Sequence, residues 1–433
     1  MSVDVVAITV CVLLIVLLLS GLNIFVCLGF AGALGIFLIR GWVGLGAVPS
    51  LMFSQIDSFT LVAVPLFILM GNAIFHTGIG KDLFEALSKW TNRVPGGLAV
   101  ASIFACAAFG AMCGVSIVGV VTIGVIAVPE MLNRGYDKKL AAGSITASGA
   151  LAMLIPPSVL FILYGALANV SVGALFIGGI VPGVVMAVMM AIYVIVMVIR
   201  NPKLAPFSGP VSWGDRFRSL KRVWPSLILI FSVLGTIYLG VCTPTESGAI
   251  GTVGALLIGL IVYRSMKWET FKMVIKATVK TTSVVMIIVA CALVFGRFLD
   301  LVHIPEQLAS FCANVQASPL VSFGLIMLVM IIMGMFIDGA SMVIILTPIL
   351  LPTVLALGFD PLWFGIMMVI NINIAVISPP VGLNLYALKS ITPNIEMGEI
   401  ISGTLPYIGV EIGALLLFMF WPEAIIWLPS LMR

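Results

Sequence analysis

The sequence predicts an all-α polytopic membrane protein built as two inverted repeats, each with a re-entrant helical hairpin and a helix broken at a Pro-Pro pair. Three observations carry that expectation. The chain of 433 residues is 62% hydrophobic and only 9% charged, too apolar for a soluble core wrapped in a charged surface. Its halves register on one another, and the charges that flank the matching segments differ between the two copies.

The apolar segments come first. Stretches such as 5–19, 22–39, 172–199, 225–241, 247–262 and 405–421 approach the ~20 residues that cross a bilayer as a helix. Roughly ten to twelve membrane segments fit, some of them broken. The first has neither a basic start nor a small-residue cleavage site and reads as a retained helix, not a removed signal. Cys11, Cys27, Cys106, Cys113, Cys242, Cys291 and Cys312 are scattered without CxxC spacing, and His76 and His303 are the two histidines. Small apolar packing is therefore expected of the cysteines, and no metal cluster is visible. A net charge of +4 carried by short interhelical loops sets orientation and implies no nucleic-acid partner.

The repeat appears at a shift of 223 residues, the separation of Pro129 from Pro352. Gly135, Asp137, Pro156 and Pro157 then fall on Gly358, Asp360, Pro379 and Pro380. Segment 78–97 carries Lys81, Lys89 and Arg93, whereas its counterpart 301–319 carries no Lys or Arg. Likewise Arg134, Lys138 and Lys139 in NRGYDKK have no basic equivalents in ALGFDPL. Basic loops stay in the cytoplasm, so the two copies are expected to lie in opposite orientations. Arg200 to Arg222 form one cytoplasmic loop in this reading, and Arg264, Lys267, Lys272, Lys276 and Lys280 another. Both termini then face the periplasm or exterior. The first repeat with its cytoplasmic linker spans 1–222 and the second 223–433.

Within each repeat, an apolar stretch interrupted by Gly and small polar residues has both ends on one side of the membrane. These are the hairpins, about 98–132 with its tip at FGAMCGVS and about 320–355 with its tip at MGMFIDGAS. A helix follows each, about 138–169 and 361–391, capped by Asp137 and by Asp360 before Pro361. LIPPS and VISPPVG break them. A proline pair removes amide donors from a helix interior, and lipid offers no water to the freed carbonyls. Two broken helices facing two hairpin tips form a polar pocket, with carbonyls for cations and helix N-termini for an anion.

Individual side chains sharpen this. An unpaired Asp338 in IIMGMFIDGASMVIIL would cost ~3 kcal/mol in a membrane, which makes it a functional candidate. Ser116, Ser158, Ser341 and Ser378 stand at tips or breaks, where hydroxyls suit either substrate or cation, or local capping. Asn371, Asn373 and Asn384 add polar groups near the second break, for the pocket or for interhelical bonds. Thr243 and Glu246 have capping-box spacing around Pro244. Arg297 and Asp300 are expected to pair or snorkel, and segments 80–92 and 303–315 read as interfacial amphipathic helices bracing the hairpins. No phosphate loop, catalytic triad or carboxylate pair appears, so an enzyme is not expected.

The runs GALFIGGIVPG (173–183), GVCTPTESGAIG (240–251), MGMFIDGASMVIILTPILLPTVLALGFDPLWFG (333–365) and SPPVGLNLYAL (378–388) resemble the large membrane subunit of tripartite ATP-independent periplasmic (TRAP) transporters. The resemblance covers nearly the whole chain and departs from the family's pattern at the first tip, GVSIVGVVTIG. It implies a sodium-driven importer of an organic acid, sialic acid or a C4-dicarboxylate, in the bacterial inner membrane. It also implies a small four-helix membrane subunit and a periplasmic solute-binding protein as partners. The implied mechanism is of the elevator type, with a scaffold at about 1–60 and 223–280 and a transport domain at about 98–199 and 318–433. One implied sodium site involves Gly110, Gly114, Ser116 and Pro156; the other involves Gly334, Gly339, Ser378 and Pro379. The implied substrate contacts are Asp338, Ser341, Ser116, Ser158 and Asn384. A stand-alone sodium/dicarboxylate symporter and a non-transporting membrane scaffold are the alternatives.

Overall fold

A computed structural model describes residues 3–206, 209, 211–304, 306, 307, 310 and 318–431. Among them the secondary structure is entirely helical. Seven helices are long and apolar enough to cross a membrane, or up to nine when two bent pairs each count as one span. This is fewer than the ten to twelve segments expected. The breaks explain the shortfall, because they leave Gly97–Cys113, Val159–Ala168, Pro319–Gly334 and Pro361–Ile377 as apolar helices of 10–17 residues. Apolar side chains also cover the outer surface, with Val43 89% and Leu239 80% exposed, which suits hydrocarbon and not water. The protein is a multi-pass membrane protein.

The first tip is short: Gly114 and Val115 alone separate helix Gly97–Cys113 from helix Ser116–Asn133, and the two pack together. Residues 335–338 separate Pro319–Gly334 from Gly339–Ala356, which also touch. Both broken helices have the expected cause and position. Lys138–Ala150 runs through one 3-10 turn to the Pro156-Pro157 break and resumes as Val159–Ala168. Pro361–Ile377 stops at Ser378 and resumes as Leu383–Ile391. Each starts on its aspartate: Asp137 accepts from the amides of Lys139 (2.9 Å) and Leu140 (3.0 Å), and Asp360 from those of Leu362 (2.8 Å) and Trp363 (3.0 Å). Removing such a cap costs about 1 kcal/mol. Asp137→Ala is therefore expected to lower the thermal unfolding midpoint in detergent, while Asp137→Asn retains it.

Contacts recur in pairs at the 223-residue spacing. Helix Gly97–Cys113 lies on Lys138–Ala150, and Pro319–Gly334 on Pro361–Ile377. Across the halves, Ser116–Asn133 touches Leu383–Ile391, as Gly339–Ala356 touches Val159–Ala168. Ile24–Gly46 packs on Trp268–Leu301, as Pro244–Leu257 packs on Ala63–Phe75. Close approach requires glycine in the first of these outer pairs, where a Cβ on Gly32 would sit 2.6 Å from the Phe295 amide nitrogen.

Other expectations meet the structure individually. The capping box forms, with the Glu246 amide donating to Thr243 Oγ1 at 3.3 Å and the Thr243 amide to Glu246 Oε2 at 2.7 Å. Helix Ile79–Thr91 bends 67° from the span before it and packs on both arms of the first hairpin. Its counterpart at 303–315 lies largely outside the described residues, as does Cys312. Cys27, Cys106, Cys113 and Cys291 are buried as free thiols. Arg297 and Asp300 both border a shallow cavity with Ser50 and Pro348, and no direct ion pair joins them. A further expectation fails. Lys272, Lys276 and Lys280 do not lie in a loop but on the 34-residue helix Trp268–Leu301, because Val274, Thr278 and Val285 give its early turns a buried side.

Candidate substrate and cation site

The first tip is wedged against the first break. Gly114 closes helix Gly97–Cys113 in the left-handed region at φ +64°, its amide bonded to the Gly110 carbonyl at 3.0 Å. A Cβ at Gly114 would lie 2.6 Å from the Pro157 carbonyl oxygen, and one at Gly110 2.6 Å from Ala152 Cα. Only residues without a side chain allow this approach. At the break, Pro156 and Pro157 withhold the amides that an uninterrupted helix would give to the Ala152 and Met153 carbonyls. The buried Ser158 hydroxyl donates to the Met153 carbonyl instead.

The second half uses the same device with a different serine. Pro379 and Pro380 withhold amides from Ala375 and Val376, and the Ser378 amide bonds the Ala375 carbonyl at 3.1 Å. Its hydroxyl donates to the Ile374 carbonyl at 2.7 Å. At the second tip, Asp338 caps helix Gly339–Ala356, accepting from the Ser341 amide at 3.1 Å and from the Ser341 hydroxyl. Gly339 abuts Ile372 and Leu160, so this tip touches both broken helices, while Gly334 sits against Ala375.

Asn384 links the halves. Its Oδ1 accepts from the Ser116 hydroxyl at 2.7 Å, and its Nδ2 donates to the Thr146 carbonyl at 3.1 Å. Both side chains are buried. Asn371 bonds the Met327 carbonyl at 2.7 Å, an interhelical bond that ties the broken helix to its hairpin.

Around these contacts lies a cavity of about 550 Å³. Gly114, Val115, Ser116 and Ile117 of the first tip line it, together with Asp338, Gly339 and Ala340 of the second. Met153, Val159 and Leu160 come from the first broken helix, and Val376, Leu383 and Asn384 from the second. One face of helix Trp268–Leu301 completes the wall through Ala277, Lys280, Thr281, Val284, Val285 and Ile288. Both tips and both breaks thus meet in one space.

A model of the tripartite ATP-independent periplasmic transporter DctM component matches residues 11–424. The chain belongs to this family. It is a TRAP large permease subunit, and its relatives span it almost end to end. It is 33% identical over 406 residues to a C4-dicarboxylate TRAP transporter large permease of Pseudomonas aeruginosa, covering 93% of each chain. It is 31% identical to a sialic acid TRAP large permease of Vibrio cholerae, covering 96% of each, and 31% identical to a 2,3-diketo-L-gulonate TRAP large permease of Escherichia coli, covering 86% of each. Among solved structures, the Alcanivorax borkumensis YdaH transporter superposes with a TM-score of 0.60 at 15% identity, covering 89% of this chain and 90% of that one. MtrF of Neisseria gonorrhoeae gives a TM-score of 0.60 at 15% identity, covering 88% and 85%. At that identity the likeness concerns the fold.

Of the residues singled out in the sequence, Gly114, Ser116, Asp338, Gly339 and Asn384 line the cavity of this TRAP large permease. Gly110, Pro156, Ser158, Gly334, Ser341, Ser378 and Pro379 are not among the lining residues, and the three serines among them already donate to protein oxygens. Two polar residues escaped the sequence reading. Lys280 was assigned to a loop by its lysine neighbours, although its spacing from Ala277, Val284 and Ile288 is helical. Glu411 is fully buried in helix Met397–Phe420, with neither carboxylate oxygen hydrogen-bonded to any described residue; one acid in the apolar stretch 405–421 was its signal.

Proposed function

We propose that this TRAP large permease imports an organic acid across the bacterial inner membrane at the expense of a sodium gradient. The convergence of both tips and both breaks on one cavity of about 550 Å³ is the observation that carries the reading. Prolines leave the Ala152 and Val376 carbonyls without their helical amide donors, a cation's ligands, and the helix starting at Ser116 at the cavity lining has no side-chain cap on its N-terminal amides, an anion's. Sodium is assigned to Gly110, Gly114, Ser116 and Pro156 at the first tip and to Gly334, Gly339, Ser378 and Pro379 at the second. The acid lies between them, against Asp338, Ser116 and Asn384, with Ser158 and Ser341 behind. Relatives named for C4-dicarboxylates, sialic acid and 2,3-diketo-L-gulonate support an acidic substrate.

The paired contacts at the 223-residue spacing support inverted repeats, 1–222 and 223–433, whose interlocked halves flank the cavity. In the proposed elevator cycle, residues 98–199 and 318–433 move as a transport domain along a scaffold of 1–60 and 223–280. A small four-helix membrane subunit and a periplasmic solute-binding protein complete the transporter, with both termini of this chain in the periplasm. Proteoliposomes test the reading. With all three proteins, labelled sialic acid or succinate is expected to accumulate only under an inward sodium gradient, and omission of any component is expected to stop it. Accumulation without the binding protein would instead establish a stand-alone symporter. No accumulation under any gradient would favour a non-transporting scaffold.

A further inference from the structure

We propose that Lys280 holds the substrate's carboxylate, and that the cavity accordingly takes an acid with one carboxylate and hydroxyl or amide donors at its far end. The inference rests on the transport reading above. Helix Trp268–Leu301 presents Ala277, Lys280, Thr281, Val284 and Ile288 to the cavity, a three- and four-residue rhythm that is one helical stripe. Rotation of the stripe is fixed nearby: Asn72 Nδ2 donates to Thr278 Oγ1 at 3.0 Å, and that hydroxyl donates to the Val274 carbonyl at 2.8 Å. Lys280 stands twelve residues after Trp268, on the order of 18 Å along the helix.

Among the lining residues, Lys280 is the one cation and Asp338 the one anion. No described carboxylate lies within ion-pair distance of Lys280. Lys280 is exposed where the uncharged run Thr281–Gly296 begins, and a cation at that edge of the cavity without a protein partner is open to a substrate. Lys272, Lys276 and Lys280 also border one groove on the outside of the helix, at spacings of four, so a basic track leads from the helix start to the cavity. A substrate carboxylate is the complementary charge.

Asp338 limits the negative charge that the cavity accepts. Its carboxylate already accepts from the Ser341 amide and hydroxyl, and the lone pairs left over accept donors, not a second anion. A dicarboxylate in the cavity would find one basic side chain, Lys280, for its two carboxylates and a third negative charge, Asp338, in the same lining, an unfavourable juxtaposition. The rest of the lining is uncharged: Ile68, Val115, Leu160 and Val285 add apolar shape, and Ser116, Thr281 and Asn384 add neutral polar groups.

The test uses the complete transporter in proteoliposomes, with N-acetylneuraminate and gluconate as monocarboxylate probes and succinate as the dicarboxylate. Wild type is expected to prefer a monocarboxylate. Lys280→Gln is expected to raise its KM by about tenfold or more, with the sodium dependence of the remaining uptake unchanged. Lys280→Arg is expected to restore most of the affinity, and Lys203→Gln, on the turn Pro202–Leu204 and outside both the groove and the cavity, to behave as wild type. An unchanged KM in Lys280→Gln, or a wild type that prefers succinate, would overturn the proposal while leaving transport intact. Wild type that moves none of the acids would overturn the transport reading. Thermal stabilisation of the purified chain by the same probes then decides on Lys280 alone: stabilisation by a monocarboxylate that Lys280→Gln loses supports it, and any other pattern sinks it.

Discussion

Gly114→Val is expected to abolish sodium-driven uptake and to destabilise the protein by about 2 to 5 kcal/mol, from two separable causes. Gly114 has φ +64°, where an L-residue costs roughly 1–2 kcal/mol and a β-branched one is least tolerated. Its Cβ would also lie 2.6 Å from the Pro157 carbonyl oxygen and 3.5 Å from Ser158 Cα. Backbone atoms in a double-proline break cannot rotate aside as a side chain can, so the tip must lift away from the break. Overpacking of that kind costs ~1–3 kcal/mol more. Gly240 provides the control, since it has φ +66° with nothing within 4 Å of its Cβ position. Gly240→Val should show the backbone cost alone and keep uptake. Thermal unfolding and proteoliposome uptake measured on both variants decide the matter, and equal behaviour would mean that the tip-to-break contact carries no weight.

That contact was only half legible in the sequence. Pro156-Pro157, Pro379-Pro380, Asp137 and Asp360 act within a few residues of themselves, so their effects on helix bounds could be read from local chemistry, and both breaks and both caps stand where that chemistry puts them. Tertiary geometry was beyond such reading. Asn384 announced itself as a polar residue beside a break, but its partners Ser116 and Thr146 lie 268 and 238 residues away, and no local rule selects them. Ser158 and Ser378 suit either a site or a local cap in the sequence, and each donates to a carbonyl of its own broken helix. Lys280 illustrates the opposite failure. Five basic residues between 264 and 280 suggested a loop, and the helical period of the apolar residues among them was the stronger signal.

Asn384 should also behave as a structural joint between the halves, and a double-mutant cycle measures it. Asn384→Leu removes both cross-half bonds and leaves the Ser116 hydroxyl buried without its acceptor. The expected loss is about 3 kcal/mol, because an orphaned buried donor costs ~1–3 kcal/mol beyond the bonds themselves. Ser116→Ala alone strips one partner from the Asn384 carbonyl and should cost less. With both residues replaced, no orphan remains at that pair, so the double variant should be less destabilised than the sum by about 1–2 kcal/mol. Strict additivity in denaturant unfolding would show that the 2.7 Å bond does not couple the two elements. A coupling of the expected size has a functional consequence. Ser116 starts the second arm of one hairpin and Asn384 starts the distal half of the other repeat's broken helix, so the bond ties the two into one body. A transport domain that moves against a scaffold must hold both tips and both breaks at fixed separation while it moves. Uptake by Asn384→Leu should accordingly fall more steeply than its stability, and retention of wild-type uptake at a temperature well below its unfolding midpoint would argue that the cavity tolerates independent motion of its two halves.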